Sequence, residues 1–338
     1  MAGSPPREFV EVLALVRGYQ RSRALTVVAE LGIADLLRDG PRGVDDLAAA
    51  TASHAPTLYR VLRALASIGI FTEDADRRFG LTPMGDYLRR DHPLSVDPAA
   101  RMFGSDYEWR AWGELRHSVQ TGENAAVHAL GTDVWEYRRQ HPADGEVFDA
   151  AMRTFSRGDN AGLLAAHDFS RYELVADIGG GTGAVLAAVL ADHPSARGIL
   201  FDQPQVVAGA GAVLDGAGVA DRVTIVPGDF FEAVPGEADA YLLARILHDW
   251  TDDEAVRILR TVRAAMAPHA RLLVVDAVVG PPNEDSLVKF LDLMMLVSEG
   301  GRERTEAEWR TLLAAADLEF AGATRATPSK HVIEALPA

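Results

Sequence analysis

Apolar positions follow two rhythms along the chain. In residues 9–100 they recur three and four apart, as at Leu58, Val61, Leu62, Leu65 and Ile68, which gathers them on one face of a helix. Pro56 stands near the start of that helix and Gly69 at its end, and a shorter helix ends at Ala49 and Ala50. Downstream, Ile70-Phe71-Thr72 and Phe79-Gly80-Leu81-Thr82 flank the polar stretch from Glu73 to Arg78, a hairpin pattern. Together these predict a helix-turn-helix followed by a β-wing. That shape serves DNA binding in some proteins and packing or dimerisation in others.

From residue 173 the rhythm changes. Short runs rich in β-branched residues alternate with helical stretches, which implies βαβ units and a mainly parallel sheet. The predicted strands are 173–178, 198–202, 222–226, 238–244 and 271–276, with a helix over 184–191. Thr251-Asp-Asp-Glu254 and Thr305-Glu-Ala-Glu308 are capping boxes that start two further helices. The runs 318–323 and 331–336 are close enough to pair as a hairpin. The fold class is α/β: a doubly wound sheet with an antiparallel C-terminal hairpin, plus a mainly helical, winged-helix-like N-terminal domain. The chain divides into 1–100, 101–170 and 171–338. The middle region is dense in aromatics (Phe103, Tyr107, Trp109, Trp112, Trp135, Tyr137, Phe148 and Phe155), which suits the wall of a pocket for a flat ligand or an ordinary helical core.

Charge and composition narrow the choice. A length of 338 residues suits two domains. The balance of 33 Lys+Arg against 49 Asp+Glu, a net charge of −16, argues against non-specific attraction to nucleic acid. Residues 1–100 hold 12 Arg and 13 Asp+Glu, so the winged domain lacks the basic face of a DNA binder. With no Cys there is no disulfide, thiolate metal site or Cys nucleophile, and no His/carboxylate cluster has metal-ligand spacing. The start has no apolar signal-peptide core, and the longest apolar run, Ala184–Ala191, falls far short of the ~20 residues that span a bilayer. The expectation is a soluble cytoplasmic protein with no membrane or nucleic-acid partner and no metal. Arg is the default cation; Lys occurs only at Lys289 and Lys330.

The candidate chemistry lies on the carboxyl ends of the predicted strands, where ligands bind in open α/β sheets. After the first strand comes Asp177-x-Gly179-x-Gly181-x-Gly183. Such a turn lets backbone approach a ligand and points helix N-terminal N–H groups at it. Asp202 ends the second strand, where a carboxylate can accept both hydroxyl protons of a ribose. The spacing differs from the dinucleotide pattern, and Asp177 places negative charge where a pyrophosphate would be repelled. That suits a ligand carrying an ammonium and a sulfonium. Gly228-Asp229-Phe230-Phe231 offers a carboxylate beside a ring, which suits an adenine. Among ten His, His248 alone lies on this edge, in His248-Asp249-Trp250 after the fourth strand. Its position favours a catalytic base over a structural role.

These motifs, with Phe201-Asp202-Gln203-Pro204 and Gly300-Gly-Arg-Glu303-Arg-Thr305, resemble those of S-adenosylmethionine (SAM)-dependent O-methyltransferases of the plant caffeic-acid and bacterial polyketide type. Ser118–Gly122 and Phe148–Met152 extend the resemblance over the whole chain. It implies a Rossmann-like methyltransferase sheet, an N-terminal domain that makes a homodimer, a small aromatic acceptor and a metal-independent reaction in antibiotic or other secondary metabolism. SAM would leave as S-adenosyl-L-homocysteine (SAH). His248 would be the general base on an acceptor hydroxyl, with Asp276 and Glu303 flanking its imidazole. Asp177, Gly179, Gly181, Asp202, Gln203, Asp229, Phe230, Arg245 and Trp250 would bind the cofactor. Met152, Phe155, Asp249 and Met295 would line the acceptor site. Many plant relatives carry Glu at the place of Asp276, a methylene longer, and Lys at that of Ala244, whose cofactor contact would pass to Arg245. A His with an ordinary pKa near ~6.5 is mostly neutral at pH 7 and could take the acceptor's proton. Two other readings stand beside this one: a SAM-binding homologue that hydroxylates or decarboxylates, and a DNA-binding regulator.

Overall fold

The described residues form ten strands and a larger set of helices; nine of the strands stand where the sequence pattern predicts them, and the short Arg42–Gly43 is not foreseen by it. The computed structural model describes residues 5–284 and 286–338. They fall into two units, one of Met1–Trp109 with Trp135–Thr154 and one of Arg110–Val134 with Phe155–Ala338. Residues 101–170 are thus shared between the units.

In the first unit, helix Val44–Ala50 leads to helix Ala55–Ala66, with Pro56 in its first turn and Leu58, Leu62 and Leu65 buried. Strands β1 (Arg42–Gly43), β2 (Phe71–Glu73) and β3 (Arg78–Leu81) form an antiparallel sheet in the order β1-β3-β2. Phe71 and Phe79 point from the wing into a core with Ile33, Leu37 and Leu47. This is the winged-helix plan. Elsewhere in this unit Arg138 sits among rings, 3.6 Å above Phe148 and 5.1 Å from Trp135, with Glu108 as its ion partner. These aromatics therefore form a packed cation–π cluster.

The second unit is built on seven strands: β4 (Leu174–Ile178), β5 (Arg197–Asp202), β6 (Val223–Pro227), β7 (Ala240–Ala244), β8 (Arg271–Asp276), β9 (Leu318–Arg325) and β10 (His331–Pro337). Their order is β6-β5-β4-β7-β8-β10-β9. The first five are mutually parallel; β10 runs antiparallel to both β8 and β9. Predicted and observed strand ends differ by up to two residues, the ordinary uncertainty of a boundary. In β4, Val175 to Ile178 are all buried because helices cover both faces of the sheet. One core joins helix Asp252–Ala265 and helix Glu306–Ala314 to the sheet through Ile258, Leu259, Trp309 and Leu313. The opposite core joins helix Ala184–Asp192 through Leu186 and Leu190.

Both capping boxes form. Thr251 and Thr305 each accept from the backbone three residues on, and Glu254 and Glu308 reach back. The order reverses between β4 and β7, which makes the carboxyl edge beside them the crevice where a ligand sits. Gly179–Gly183, Asp202, Gly228–Phe231 and His248 follow or end β4, β5, β6 and β7 at their carboxyl ends.

Candidate functional site

The glycine turn follows β4. Gly179, Gly181 and Gly183 have φ of 70°, 61° and 83°, a region that side-chain-bearing residues rarely adopt. The N–H groups of Gly179 and Gly180 donate to the Phe201 carbonyl at 2.8 and 3.2 Å, and that of Gly181 to Asp202 Oδ2 at 2.8 Å. A Cβ on Gly179 would meet Ile246 at 2.6 Å and Phe230 at 3.5 Å. A Cβ on Gly181 would meet open space, so this backbone is bare to a ligand. Asp202 Oδ1 accepts from the Gln203 N–H at 2.6 Å. Its carboxylate thus pins the turn.

Asp177 lies beneath the turn. It is wholly buried, and a Cβ on Gly180 would meet its carboxyl at 2.6 Å. Burial first, then the Asp202 carboxylate, push its pKa up to about 7. It can act on a cationic ligand through its field from under the glycines. Asp229 is exposed, with Oδ1 accepting from the Phe231 N–H at 2.8 Å. Phe230 and Phe231 meet Trp250 edge-on at 6.0 and 4.8 Å. Arg245 follows β7 with φ 56°, and its guanidinium is 3.2 Å from Asp159 and bonded to the Ser156 hydroxyl. The expected cofactor contact would require it to leave these partners.

His248 sits in the short turn Leu247–Asp249, and its ring is buried. Nδ1 lies 2.7 Å from Glu303 Oε1 and 3.6 Å from Asp276 Oδ1. A ring nitrogen with one proton has one close acceptor here, and Glu303 is it; the shorter Asp276 stays beyond hydrogen-bond reach. With the proton on Nδ1, Nε2 is left as the basic atom, 3.4 Å from Asp249 Oδ1.

The electrostatics differ from the sequence expectation. Burial lowers the His248 pKa, but the carboxylates, Asp276 foremost, outweigh it and raise the value to about 9. The imidazole is therefore mostly protonated at pH 7 in the resting protein. An isolated sequence could not show this, because two of the three carboxylates, Asp276 and Glu303, come from distant segments. Burial raises Asp276 above the usual carboxylate range. Burial would raise Glu303 too, but the adjacent His248 outweighs it and holds Glu303 below its usual range.

Several supporting residues are given no role by the sequence, although Gly301, Arg302 and Arg304 lie in the Gly300–Thr305 motif. Buried Arg304 donates to the carbonyls of Leu247 at 2.8 Å and Trp250 at 3.0 Å, and pairs with Asp252. The Arg302 N–H donates to the His248 carbonyl at 2.9 Å. A Cβ on Gly301 would land on that carbonyl. Asp292 accepts from the Glu303 N–H at 2.8 Å. The Gly-Gly-Arg-Glu-Arg-Thr loop thus clamps the His248 turn by its backbone. Just before it, Met295–Glu299 form a π-helical turn with Met295 buried. Phe155, Asp249 and Met295 belong to the second unit and Met152 to the first.

Comparison with known proteins fits this geometry. Residues 112–319 match the O-methyltransferase domain, and residues 13–91 the O-methyltransferase dimerisation domain. The chain belongs to the O-methyltransferase family. It is 43% identical over 336 residues to a phenazine O-methyltransferase of Lysobacter antibioticus, covering 99% of this chain and 98% of that one. It is 42% identical over 339 residues to an 8-amino-8-demethylriboflavin N,N-dimethyltransferase of Streptomyces davaonensis, with 97% of each covered. A solved O-methyltransferase from neocarzinostatin biosynthesis, in complex with SAM and 2-hydroxy-5-methyl naphthoic acid, has a TM-score of 0.81 at 33% identity, covering 94% of this chain and 96% of that one. The protein is a SAM-dependent O-methyltransferase of secondary metabolism. The family is one of methyl transfer, which leaves hydroxylation and decarboxylation without support, and the winged helix belongs to a dimerisation domain. No described helix is long and apolar enough to cross a membrane.

Proposed function

We propose that the enzyme methylates a phenolic or polyketide-derived hydroxyl, with His248 as general base. The observation that carries the reading is the 2.7 Å bond from His248 Nδ1 to buried Glu303, which leaves Nε2 as the proton acceptor. When bound, SAM supplies an electrophilic methyl group on a sulfonium, so the protein must place the acceptor oxygen and make it nucleophilic. Asp202 would hold the ribose, Asp229 and Phe230 the adenine, with Gln203 and Trp250 beside them. Gly179 and Gly181 would offer backbone to the amino-acid end, above the negative field of Asp177. Phe155, Asp249 and Met295 would line the acceptor side, and two copies would join through their N-terminal domains.

His248 Nε2 takes the proton of the acceptor hydroxyl, and Glu303 and Asp276 stabilise the imidazolium that results. A free phenol has a pKa near ~10. Against a base at about 9 the transfer is uphill by about one unit; against an ordinary His it would be about three and a half. The carboxylates thus make the bound pair, phenolate and imidazolium, cheap to form. At pH 7 that pair is reached equally by a phenolate meeting protonated His248.

The relative named as an 8-amino-8-demethylriboflavin N,N-dimethyltransferase raises a second reading, an aryl amine as acceptor. An amine attacks through its lone pair and sheds its proton only after the methyl has been transferred, as a much stronger acid than a phenol, so it does not require a base strengthened by buried carboxylates. The hydroxyl reading is therefore preferred. Incubation with paired phenols and anilines and isotopically labelled SAM tests it. Label in the phenol products supports the reading, and label confined to the anilines contradicts it.

A further inference from the structure

Lys330 is one of only two lysines in a chain whose other basic residues, His aside, are all Arg, and it is buried. It is the last residue of the turn between β9 and β10, where its N–H bonds Thr327 Oγ1 at 3.1 Å and its carbonyl accepts from Ala326 and Thr327. Antiparallel pairing sets His331 opposite Asp276, which brings the preceding Lys330 to the end of β8. Its Nζ is 3.8 Å from Asp276 Oδ1. Among the described residues, neither Nζ nor either Asp276 oxygen has a hydrogen-bond partner. An ammonium and a carboxylate are thus buried against each other at ion-pair distance, behind the imidazole that Asp276 flanks at 3.6 Å.

We propose that Lys330 is a positioning residue for the base: its charge keeps Asp276 ionised and lets His248 give up its proton while both flanking carboxylates stay charged. This rests on His248 being the base. With His248 protonated, the buried group of His248, Asp276, Glu303 and Lys330 carries two positive and two negative charges. With His248 neutral it carries one net negative charge. Without Lys330 that state would hold two buried carboxylates offset only by the weaker influence of Arg304, which burial strongly penalises. The other charged neighbours do not replace it. Arg304 favours the ionised form of Asp276 and Glu303 less than Lys330 does, and its guanidinium is held by Leu247, Trp250 and Asp252. His331 is kept toward its neutral form by burial and by Arg325. Asp249, on the Nε2 side, and Asp292, beneath Glu303, only add negative charge. A compact ammonium on a flexible stem fits beside Asp276, where the planar fork of an Arg demands a different cavity.

The test is an NMR titration of the full chain with ring-labelled His, the His248 signal being assigned from His248→Asn. Wild type should titrate at about 9. Lys330→Met should raise the midpoint by about one unit, since an unscreened buried charge is removed a few ångströms away. Lys330→Arg, where it retains the charge, should stay nearer to wild type than Lys330→Met does. Lys330→Met with Asp276→Asn removes one charge of each sign and should return the midpoint toward wild type, and this pair keeps the test open should the single variant fail to fold. A midpoint unmoved in Lys330→Met, or a double variant displaced as far as the single one, overturns the proposal. The titration needs neither SAM nor acceptor, so its outcome is independent of the functional reading. The acid limb of the kcat/KM profile should then move with it, which a merely structural lysine would not cause.

Discussion

Replacing Glu303 by Gln separates two effects that a simple loss of activity would merge. The substitution keeps an acceptor for His248 Nδ1 but removes the closest charge, now 2.7 Å away. For charges about 4 Å apart, an effective dielectric of ~20 gives about 4 kcal/mol, or close to three pKa units before relaxation. Asp276 remains at 3.6 Å, already shared with Lys330, and recovers part of this. The His248 pKa should therefore fall from about 9 by roughly one and a half to three units. The sign is fixed: an anion that favours imidazolium is gone, so the acid limb of the kcat/KM profile moves to lower pH. A weaker base also lowers the alkaline plateau, roughly tenfold or more on Brønsted behaviour. The assay is transfer of labelled methyl to an accepted phenol across the pH range, with SAH affinity as the control for a folded cofactor site. A plateau that falls while the inflection stays at its wild-type pH would refute the reasoning, because Glu303 would then act on geometry alone.

Three further outcomes follow from the same geometry. Asp177 has a pKa of about 7, and a cationic ligand favours its ionised form, so calorimetry should find SAM bound tighter at pH 8 than at pH 6, by up to about tenfold; the dependence should weaken for SAH, which lacks the sulfonium, and vanish in Asp177→Asn. Gly301→Ala drives a methyl into the His248 carbonyl and should lower stability by about 1–3 kcal/mol by overpacking, with loss of turnover, as thermal denaturation and rate would record. Arg304→Leu strips the donors from the Leu247 and Trp250 carbonyls and should cost about 2–4 kcal/mol in denaturant titration, with Asp252→Asn costing far less because Asp252 is half exposed.

What the sequence disclosed is what a few neighbouring residues determine. A capping box needs only Thr251 and Glu254, and a glycine turn only the residues from Gly179 to Gly183 after an apolar strand. The carboxyl edge followed, because parallel strands and right-handed crossovers place every strand end on one side. His248, Asp276 and Glu303 could be assembled only with the help of the family resemblance, since they come from three separate segments. The role of Arg304 was not legible: its acceptors on Leu247 and Trp250 are 57 and 54 residues away. Nor was the raised pKa of His248, which depends on burial and on distances within a cluster. The aromatics of 101–170 show the opposite limit: composition could not tell a pocket wall from a helical core, and the structure packs Trp135, Phe148 and Tyr107 around Arg138.

The central claim is that this O-methyltransferase works by proton transfer to His248. It is tested most directly by measuring methyl transfer and SAH affinity side by side in His248→Ala. The account predicts near-native SAH binding with kcat reduced by about 10²–10⁴-fold, and partial recovery toward high pH, where the free acceptor ionises by itself. Unchanged methyl transfer in a variant that binds SAH normally would contradict it.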